Sequence, residues 1–310
     1  MAPSPAHLTR PTGNAARRIH RAFTLLELLT VLAIISLLLA ILLPSLATAR
    51  RSGQRTKCLE LLRNLGIASA AYANGDPRDQ PLAAHPIADV NPDHDEGYYD
   101  YGGATGAANV FGGTRYGPDG PRTAATRPLN QYILGAGAGE STDYSAFRCP
   151  GDNGWPYGTC DGWVQWDDNL VGQPFYESVG TSFHANAARV PGFGTPIDYC
   201  SFSPYLRAIS RIPLSEETIL YCESLLWTAA FHTDQAYPAD PEDVLFDGWH
   251  GPEPRFNVVF ASGGAKTIKL EMVGFAGQYI PSDPDYAGLW LGQRGWRFHC
   301  RPDDLIPDPP

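Results

Sequence analysis

The side chains of this 310-residue chain that could carry out chemistry are histidines and carboxylates in its C-terminal half. An imidazole beside a carboxylate can act as a general acid and base, and the residues of these types are His184, Glu223, His232, Asp247, His250 and His299. Their spacing matches no GxSxG nucleophile elbow, HExxH zinc motif or GxxxxGK phosphate loop. We interpret His250 as a hydrogen-bonding loop residue and Glu223 as a hydrogen-bond or salt-bridge partner. The sequence therefore does not predict an enzyme.

Six cysteines offer a different chemistry, the formation of disulfides or the binding of zinc. They are Cys58, Cys149, Cys160, Cys200, Cys222 and Cys300. Outside the cytoplasm these six thiols could form up to three disulfides, and a Cys149–Cys160 bridge would close a short loop. No CxxC or HxxxH pair is present to indicate zinc, so we predict no metal site. Free buried thiols remain the alternative.

Two further features could bind ligands, namely an acidic segment and many aromatic residues. Residues 74–128 are rich in glycine and proline and contain carboxylates that could coordinate calcium, a hard cation: Asp89, Asp93, Asp95, Glu96 and Asp100. They lack EF-hand spacing, so a solvated acidic loop is the favoured interpretation, and we predict no other cofactor. Seven tryptophans and fifteen tyrosines could stack on sugars or anchor protein contacts, although filling the core is the simpler role.

The charge balance excludes one class of partner. The whole chain has a net charge of −10. Residues 1–22 contain four arginines and no acidic residue, so the remaining chain has 19 basic against 33 acidic residues and a net charge of −14. Because binding to phosphates needs clustered cations, we expect no nucleic-acid partner.

The element that must position everything else is an apolar run near the N-terminus. Phe23 to Leu43 contains one charged residue, Glu27, and as a helix it would span roughly 30 Å, the thickness of a bilayer core. Basic residues flank both sides, so the orientation does not follow from charge. A cleaved secretory signal with a site near Ala47 to Ala49 is an alternative, but a carboxylate within the run is costly and indicates a function.

The sequence Ala22-Phe23-Thr24-Leu25-Leu26-Glu27, followed by Pro44, resembles the class III signal of type IV pilins and type II secretion pseudopilins. The resemblance implies that a prepilin peptidase cuts between Ala22 and Phe23 and that Phe23 is N-methylated. Glu27 is then fifth and Pro44 twenty-second in the mature chain, as in the family. The chain departs from the family at Ala22, where glycine is usual. This difference bears on how efficiently the peptidase cleaves the leader, more than on the identity of the signal.

Elementary chemistry gives a role to Glu27 and to Pro44, the two residues whose positions match the family. In a filament, the carboxylate of Glu27 could pair with the free amine of Phe23 in a neighbouring subunit, because a charge pair in a low dielectric offsets part of each group's desolvation. Pro44 removes a backbone donor and should kink or loosen the helix.

The helical pattern continues beyond the apolar run. Cys58, Leu61, Leu62, Leu65, Ser69 and Tyr72 follow the spacing of an amphipathic helix. The sequence Asn74-Gly75-Asp76-Pro77 is a stop signal, so we predict a helical stem ending near Tyr72 or Ala73. The predicted organisation is a leader at residues 1–22, a transmembrane and assembly helix at 23–46, its amphipathic continuation at 47–73, and an extracytoplasmic head at 74–310.

Short stretches of the head resemble pilin-like proteins of a planctomycete-type subgroup. Residues 58–72 are similar to the stem of that subgroup, and Cys149-Pro150-Gly151-Asp152 is similar to its CPxD element. Trp249-His250-Gly251 and the segment from Asn257 to Gly263 resemble its His-Gly and Asn-Val-Leu-Phe-Ala-Asp-Gly signature, with Ser262 in place of the aspartate.

The fold class that these features predict is α+β, with a long N-terminal helix packed on an antiparallel β-sheet head, as in pilins. We expect strands at Ser178–His184 and Ile219–Cys222, a hairpin of Phe256–Ala261 with Ala265–Leu270, and short helices within residues 129–140 and Ser203–Ser210. The chain contains 32 glycines and 28 prolines, which favours a loop-rich head, and we expect the tail beyond Ile280 to be poorly ordered.

The resemblance implies a structural subunit of a type II secretion or type IV pilus-like filament, anchored by one pass in the inner membrane. Its implied partners are the prepilin peptidase, other pilins or pseudopilins, the assembly platform and the membrane. The alternative is a membrane-anchored extracellular enzyme or a glycan-binding protein.

Overall fold

The computed structural model describes residues 24–83, 99–107, 116–139, 141–154, 172–186, 189–190, 198–199, 204, 207–212, 214–226, 248–251 and 255–269. The predicted tail beyond Ile280 lies outside these residues. The chain divides into two compact units, residues 1–48 and residues 49–310. The fold is α+β, with one long N-terminal helix and a four-stranded antiparallel sheet, which confirms the predicted class.

The long helix α1 comprises Leu25–Gly75, 51 residues. Its first half contains leucine, isoleucine and alanine almost throughout, and these residues have favourable or tolerable helix propensity. The helix continues through Pro44. Close to this proline, the Ser45 hydroxyl donates to the Leu42 carbonyl and the Thr48 hydroxyl donates to the Pro44 carbonyl. It ends at Gly75, where the Asp76 N–H donates to the carbonyls of Tyr72 and Ala73. The predicted stop signal is therefore where the helix ends.

The second half of α1 contributes an apolar stripe to the core of residues 49–310. Cys58, Leu61, Leu62 and Leu65 are all buried, as the amphipathic spacing predicted. Gly66 also lies in this stripe, and a Cβ atom there would approach the Cγ2 atom of Val259 to 2.8 Å. The absence of a side chain at Gly66 therefore lets the helix pack closely on the sheet.

The sheet has the strand order β1-β4-β5-β6 and is antiparallel throughout. Its strands are β1 (Phe183–Ala185), β4 (Ile219–Glu223), β5 (Arg255–Phe260) and β6 (Ala265–Lys269); β2 (Arg189–Val190) and β3 (Asp198–Tyr199) form a separate pair. All residues of β4 are buried, whereas β6 buries only Ile268. The central strands are therefore covered on both faces, and β6 has one covered face.

The predicted hairpin is confirmed as β5 and β6, in which Phe256 pairs with Ile268. The predicted strand at Ile219–Cys222 is confirmed as β4. Ser178–His184 is only partly a strand, because Ser178 and Val179 belong to helix α3, Phe175–Val179. That helix ends at Gly180, whose φ of +84° and contact with the Ala104 carbonyl leave no room for a Cβ atom.

The two short helices predicted from sequence have different outcomes. Within residues 129–140 the structure has helix α2, Asn130–Leu134, which ends before Gly135 as predicted. Near Ser203–Ser210 the described residues show only a 3₁₀ turn at Ile209–Arg211. A single turn of this kind forms i to i+3 hydrogen bonds and rarely extends further.

Buried polar side chains organise residues 99–107 and 116–127, which the sequence predicted as loop. The Arg127 guanidinium donates to the carbonyls of Gly102 and Val179, both at 2.8 Å, and to that of Arg122 at 3.2 Å. Burial lowers the pKa of Arg127 to about 10, so the side chain remains charged at neutral pH. One arginine thus ties this segment to the end of α3.

Leu62 provides a test of the packing of α1. We expect Leu62→Ala to lower the free energy of unfolding by about 2 to 5 kcal/mol, because truncating this fully buried side chain leaves a cavity in its place. The measurement is urea unfolding of the detergent-solubilised chain followed by tryptophan fluorescence. Ile67→Ala, on the same helix but 60% exposed, is the matched control and should change stability by less than about 0.5 kcal/mol. Equal losses in both variants would contradict this packing.

Candidate functional site

The first functional segment is the N-terminus of α1, which begins with a reciprocal pair of hydrogen bonds. The Glu27 carboxylate accepts from the Thr24 N–H and hydroxyl, both at 2.9 Å. The Glu27 N–H donates in turn to the Thr24 hydroxyl at 3.2 Å. This is a capping box, and it satisfies donors that the first turn of a helix leaves without partners. Ala22 and Phe23 lie outside the described residues.

The same half of α1 is apolar on every side. Its large side chains from Leu25 to Leu46 are exposed, between 45% at Val31 and 82% at Leu25. By length and composition this is the one helix among the described residues that could cross a membrane. An apolar surface of this size needs lipid or other apolar helices around it.

The second candidate site is a buried cluster of Cys58, Cys149, Glu223 and His250, each at most 2% exposed. Cys58 lies on α1, and Glu223 is the last residue of β4. Cys149 follows the 3₁₀ turn Ser145–Phe147, and His250 lies in a turn before β5. One donor atom from each residue lies within 4.8 Å of the other three. Four separate segments of the chain therefore meet at one point, which we call the Cys-His-Glu cluster.

The hydrogen bonds of the Cys-His-Glu cluster centre on one carboxylate oxygen. The Cys58 thiol donates to Glu223 Oε1 at 2.9 Å, and His250 Nε2 lies 2.9 Å from the same oxygen. His250 Nε2 is also 3.3 Å from the Cys149 sulfur. The interpretation of Glu223 and His250 as hydrogen-bonding residues agrees with this geometry.

Further groups fix the cluster from outside. The Asn257 amide donates to Glu223 Oε1 at 2.8 Å and to the Arg55 carbonyl at 3.3 Å. The Thr267 hydroxyl donates to Oδ1 of the Asn257 side chain at 2.6 Å, which sets the orientation of the side-chain amide. The Gly151 N–H points at the Cys149 sulfur at 3.4 Å. Both thiols and the carboxylate therefore have defined positions.

The protonation of the cluster reflects burial and mutual hydrogen bonding. Burial is the main cause that raises the pKa of Cys58 well above its usual value, and the hydrogen bond with Cys149 adds to it. Burial also disfavours the thiolate of Cys149, but hydrogen bonds from Cys58 and His250 outweigh it and lower the pKa of Cys149. Burial opposes protonation of His250, yet hydrogen bonds to Cys149 and Glu223 raise its pKa to about 9. The hydrogen bonds between Cys149 and His250 therefore favour the charged form of each side chain, whereas burial opposes it.

This arrangement limits the chemistry of the cluster. A cysteine and a histidine side chain together have the composition of a nucleophile and base, but none of the four side chains is open to solvent. Buried side chains of these types can still bind a metal ion, or the two cysteines can form a disulfide.

Near the cluster, Asp152 fastens the start of α3. One oxygen of its carboxylate accepts from the N–H groups of Gly154 and Phe175, both at 3.0 Å. The other accepts from the Tyr176 N–H at 3.0 Å and the Ser182 hydroxyl at 2.6 Å. An acidic side chain at a helix N-terminus also interacts favourably with the helix dipole. The aspartate of the CPxD-like element is therefore a structural residue.

The structure places the predicted site residues as follows. Cys58, Cys149 and Cys222 are buried and are not in a disulfide. The suggested Cys149–Cys160 bridge is therefore not formed here, and disulfide formation stays a prediction. Asp100, from the proposed calcium segment, forms a buried ion pair with Arg122 at 3.1 Å, and Trp249 packs on Phe175 in the core. His184 is buried in β1. The other predicted residues lie outside the described part, as do Trp155 and Tyr157 between Cys149 and Cys160: Cys160, Cys200, Cys300, His232, His299, Asp247, Asp89, Asp93, Asp95 and Glu96.

The Cys-His-Glu cluster was not predicted from the sequence. Its members are separated by 91, 74 and 27 positions, so no short motif reports it. The four short stretches that the sequence analysis compared with one pilin-like subgroup do contain Cys58, Cys149, His250 and Asn257, but that comparison did not predict a cluster. These stretches are distant in sequence and meet in space.

The fold and the N-terminal segment together define an α+β chain of pilin-like architecture with an apolar helix at its N-terminus. A family model described as the prokaryotic N-terminal methylation motif matches residues 17–43. No curated protein and no solved structure matches the chain. The motif supports a prepilin-type signal and hence a precursor of the pilin or pseudopilin type.

Asp152 provides a test of the structure around the site. We expect Asp152→Ala to lower the free energy of unfolding by about 2 to 4 kcal/mol, because it leaves three backbone donors and the Ser182 hydroxyl without their acceptor. Urea unfolding of the full chain in detergent measures this. The control Asp143→Ala removes an exposed carboxylate that binds only the nearby Ser145. If Asp152→Ala were as stable as this control, the assigned role of Asp152 would be wrong.

Proposed function

We propose that the chain is a structural subunit of a type II secretion or type IV pilus-like filament, cleaved between Ala22 and Phe23, N-methylated at Phe23 and assembled through α1. The observation that carries this proposal is the methylation motif at residues 17–43 on a helix whose apolar half is exposed on all sides. Such a surface can be stored in a membrane and then buried among identical helices.

The geometry of Glu27 supports assembly through the N-terminus. Its Oε2 atom is held by Thr24, while no hydrogen bond to its Oε1 atom occurs among the described residues. Cleavage before Phe23 creates a cationic amine near the start of the helix. The amine of one subunit can pair with the free oxygen of Glu27 in the next, and low dielectric strengthens that contact. The capping box would keep the carboxylate oriented for it.

The head has a structural role in this proposal and is not an enzyme. Its Cys149 and His250 side chains are buried in the core, which keeps a substrate away from them. The head lies outside the cytoplasm, and the partners are the prepilin peptidase, other pilins or pseudopilins and the assembly platform. The acidic head disfavours nucleic acid as a partner.

Processing is tested at the N-terminus of the mature protein. We expect mass spectrometry of membrane-extracted protein to show an N-methylated phenylalanine, Phe23, as the first residue. Because Ala22 replaces the usual glycine, Ala22→Gly should be processed at least as completely as the wild type, and it serves as the positive control. A terminus at Met1 or near Ala49 in both proteins would refute the proposal.

The role of Glu27 is tested by comparing three single variants. We expect Glu27→Ala to remain in the membrane but to enter filaments roughly tenfold less or worse, because a charge-assisted hydrogen bond contributes about 1.5 to 3 kcal/mol and each 1.4 kcal/mol is a factor of ten. Quantitative blotting of sheared filaments against the membrane fraction measures this.

Two controls separate subunit pairing from helix capping. Thr24→Ala removes the cap and keeps the carboxylate, so it should assemble far better than Glu27→Ala. Glu60→Ala removes an exposed carboxylate paired with Lys57 on the same helix and should assemble normally. Equal defects in Thr24→Ala and Glu27→Ala would show that Glu27 acts only as a cap.

A further inference from the structure

The Cys-His-Glu cluster has the donor set of a structural zinc site. Two cysteine sulfurs, an imidazole nitrogen and a carboxylate oxygen are all zinc ligands, and thiolates disfavour hard cations such as calcium. Structural zinc is held by four ligands in a closed tetrahedral shell. Here four donors converge from four chain segments and all are buried.

The distances fit a tetrahedral site with a small expansion. Zinc bonds of about 2.0 to 2.3 Å place neighbouring ligand atoms roughly 3.3 to 3.8 Å apart in a tetrahedron. The measured separations are 2.9 Å for Cys58 Sγ to Glu223 Oε1, 2.9 Å for His250 Nε2 to the same oxygen, and 3.3 Å for Cys149 Sγ to His250 Nε2. These three pairs therefore need to move apart by roughly 0.2 to 0.6 Å, and the other three pairs also lie within 4.8 Å.

The hydrogen bonds around the cluster are those expected outside a metal's ligand shell. The Asn257 amide supports the Glu223 oxygen, and Thr267 orients Asn257. The Gly151 N–H supports the Cys149 sulfur. Groups of this kind orient ligands and tune metal affinity.

The charges of the cluster also favour a cation. Within the described residues, the buried Oε2 atom of Glu223 has no hydrogen-bond partner. Burying a carboxylate that accepts hydrogen bonds at only one of its two oxygens costs folding free energy unless a cation balances its charge. Zinc with two thiolates and one carboxylate would carry a net charge of −1, and the guanidinium of Arg55, which donates to the His250 carbonyl at 3.2 Å, offsets it.

We propose that Cys58, Cys149, Glu223 and His250 bind one zinc ion, which joins the first buried turn of α1 to the sheet. The site does not require filament assembly, because all four ligands belong to one chain. Since the ligands are enclosed, zinc is bound as the chain folds, and it stabilises the folded state.

The test is the metal content of the full chain, purified in detergent without chelators from cells supplied with zinc. We expect elemental analysis to find about one zinc ion per chain. Cys58→Ser and Cys149→Ser should each lose most of it. The matched control is Cys222→Ser, which removes a buried thiol beside Glu223 that is not in the cluster, and it should retain the zinc. Asn257→Ala should retain the site but weaken its affinity about 10- to 100-fold.

A second measurement on the wild-type chain does not depend on whether the variants fold. After replacement of zinc by Co²⁺, thiolate-to-cobalt charge-transfer absorption should appear in the near ultraviolet, together with the intense visible bands of a tetrahedral site. Wild-type protein without zinc and without this spectrum would overturn the proposal. Mass spectrometry showing a complete Cys58–Cys149 disulfide, or equal loss of zinc in Cys222→Ser, would also overturn it.

Discussion

The head depends on how the chain keeps one carboxylate, that of Glu223, in its interior. Three side chains from different segments, Cys58, His250 and Asn257, place a polar atom within 2.9 Å of a single oxygen. A buried charge survives only with such compensation, so each of these segments must occupy its place for the others to be stable. The helix, the turn before β5 and the central strands are fixed relative to one another by this requirement.

The high content of glycine and proline explains why side chains carry so much of the architecture. Among the described residues, the helices and strands outside α1 and the sheet are short, so the backbone groups of the loops need other partners. Asp152 binds three backbone N–H groups, and Arg127 binds three carbonyls. These two residues satisfy backbone hydrogen-bonding groups of the loops, as the hydrogen bonds between neighbouring strands satisfy those of a sheet. A charged residue is well suited to this, because its hydrogen bonds to the backbone are stronger than neutral ones.

Periodicity and turn chemistry were sufficient to predict the elements with local causes. The spacing of Leu61, Leu62 and Leu65 predicted the buried face of α1. The β5–β6 hairpin was predicted from two β-rich runs separated by Ser262-Gly263-Gly264. Ser178 and Val179 were mistaken for strand, because the signal for α3 is the distant carboxylate of Asp152, which binds the N–H groups of its first turn. The Cys-His-Glu cluster was missed for the same reason. Its members share no local spacing, and only the folded chain brings them together.

The position of the cluster along α1 has a mechanical meaning if the chain is a filament subunit. Cys58 is the first buried residue of the helix in the structure, and the side chains of Gln54 and Arg55 bind the carbonyls of Pro150 and His250 just before it. The contacts that hold the helix to the head therefore begin with polar and charged groups, not with leucines. Apolar packing has little directional preference and permits sliding, whereas hydrogen bonds and metal bonds fix distances and angles. A helix pulled along its axis would thus be restrained where it enters the core, and the leucines beyond would remain in register with the sheet.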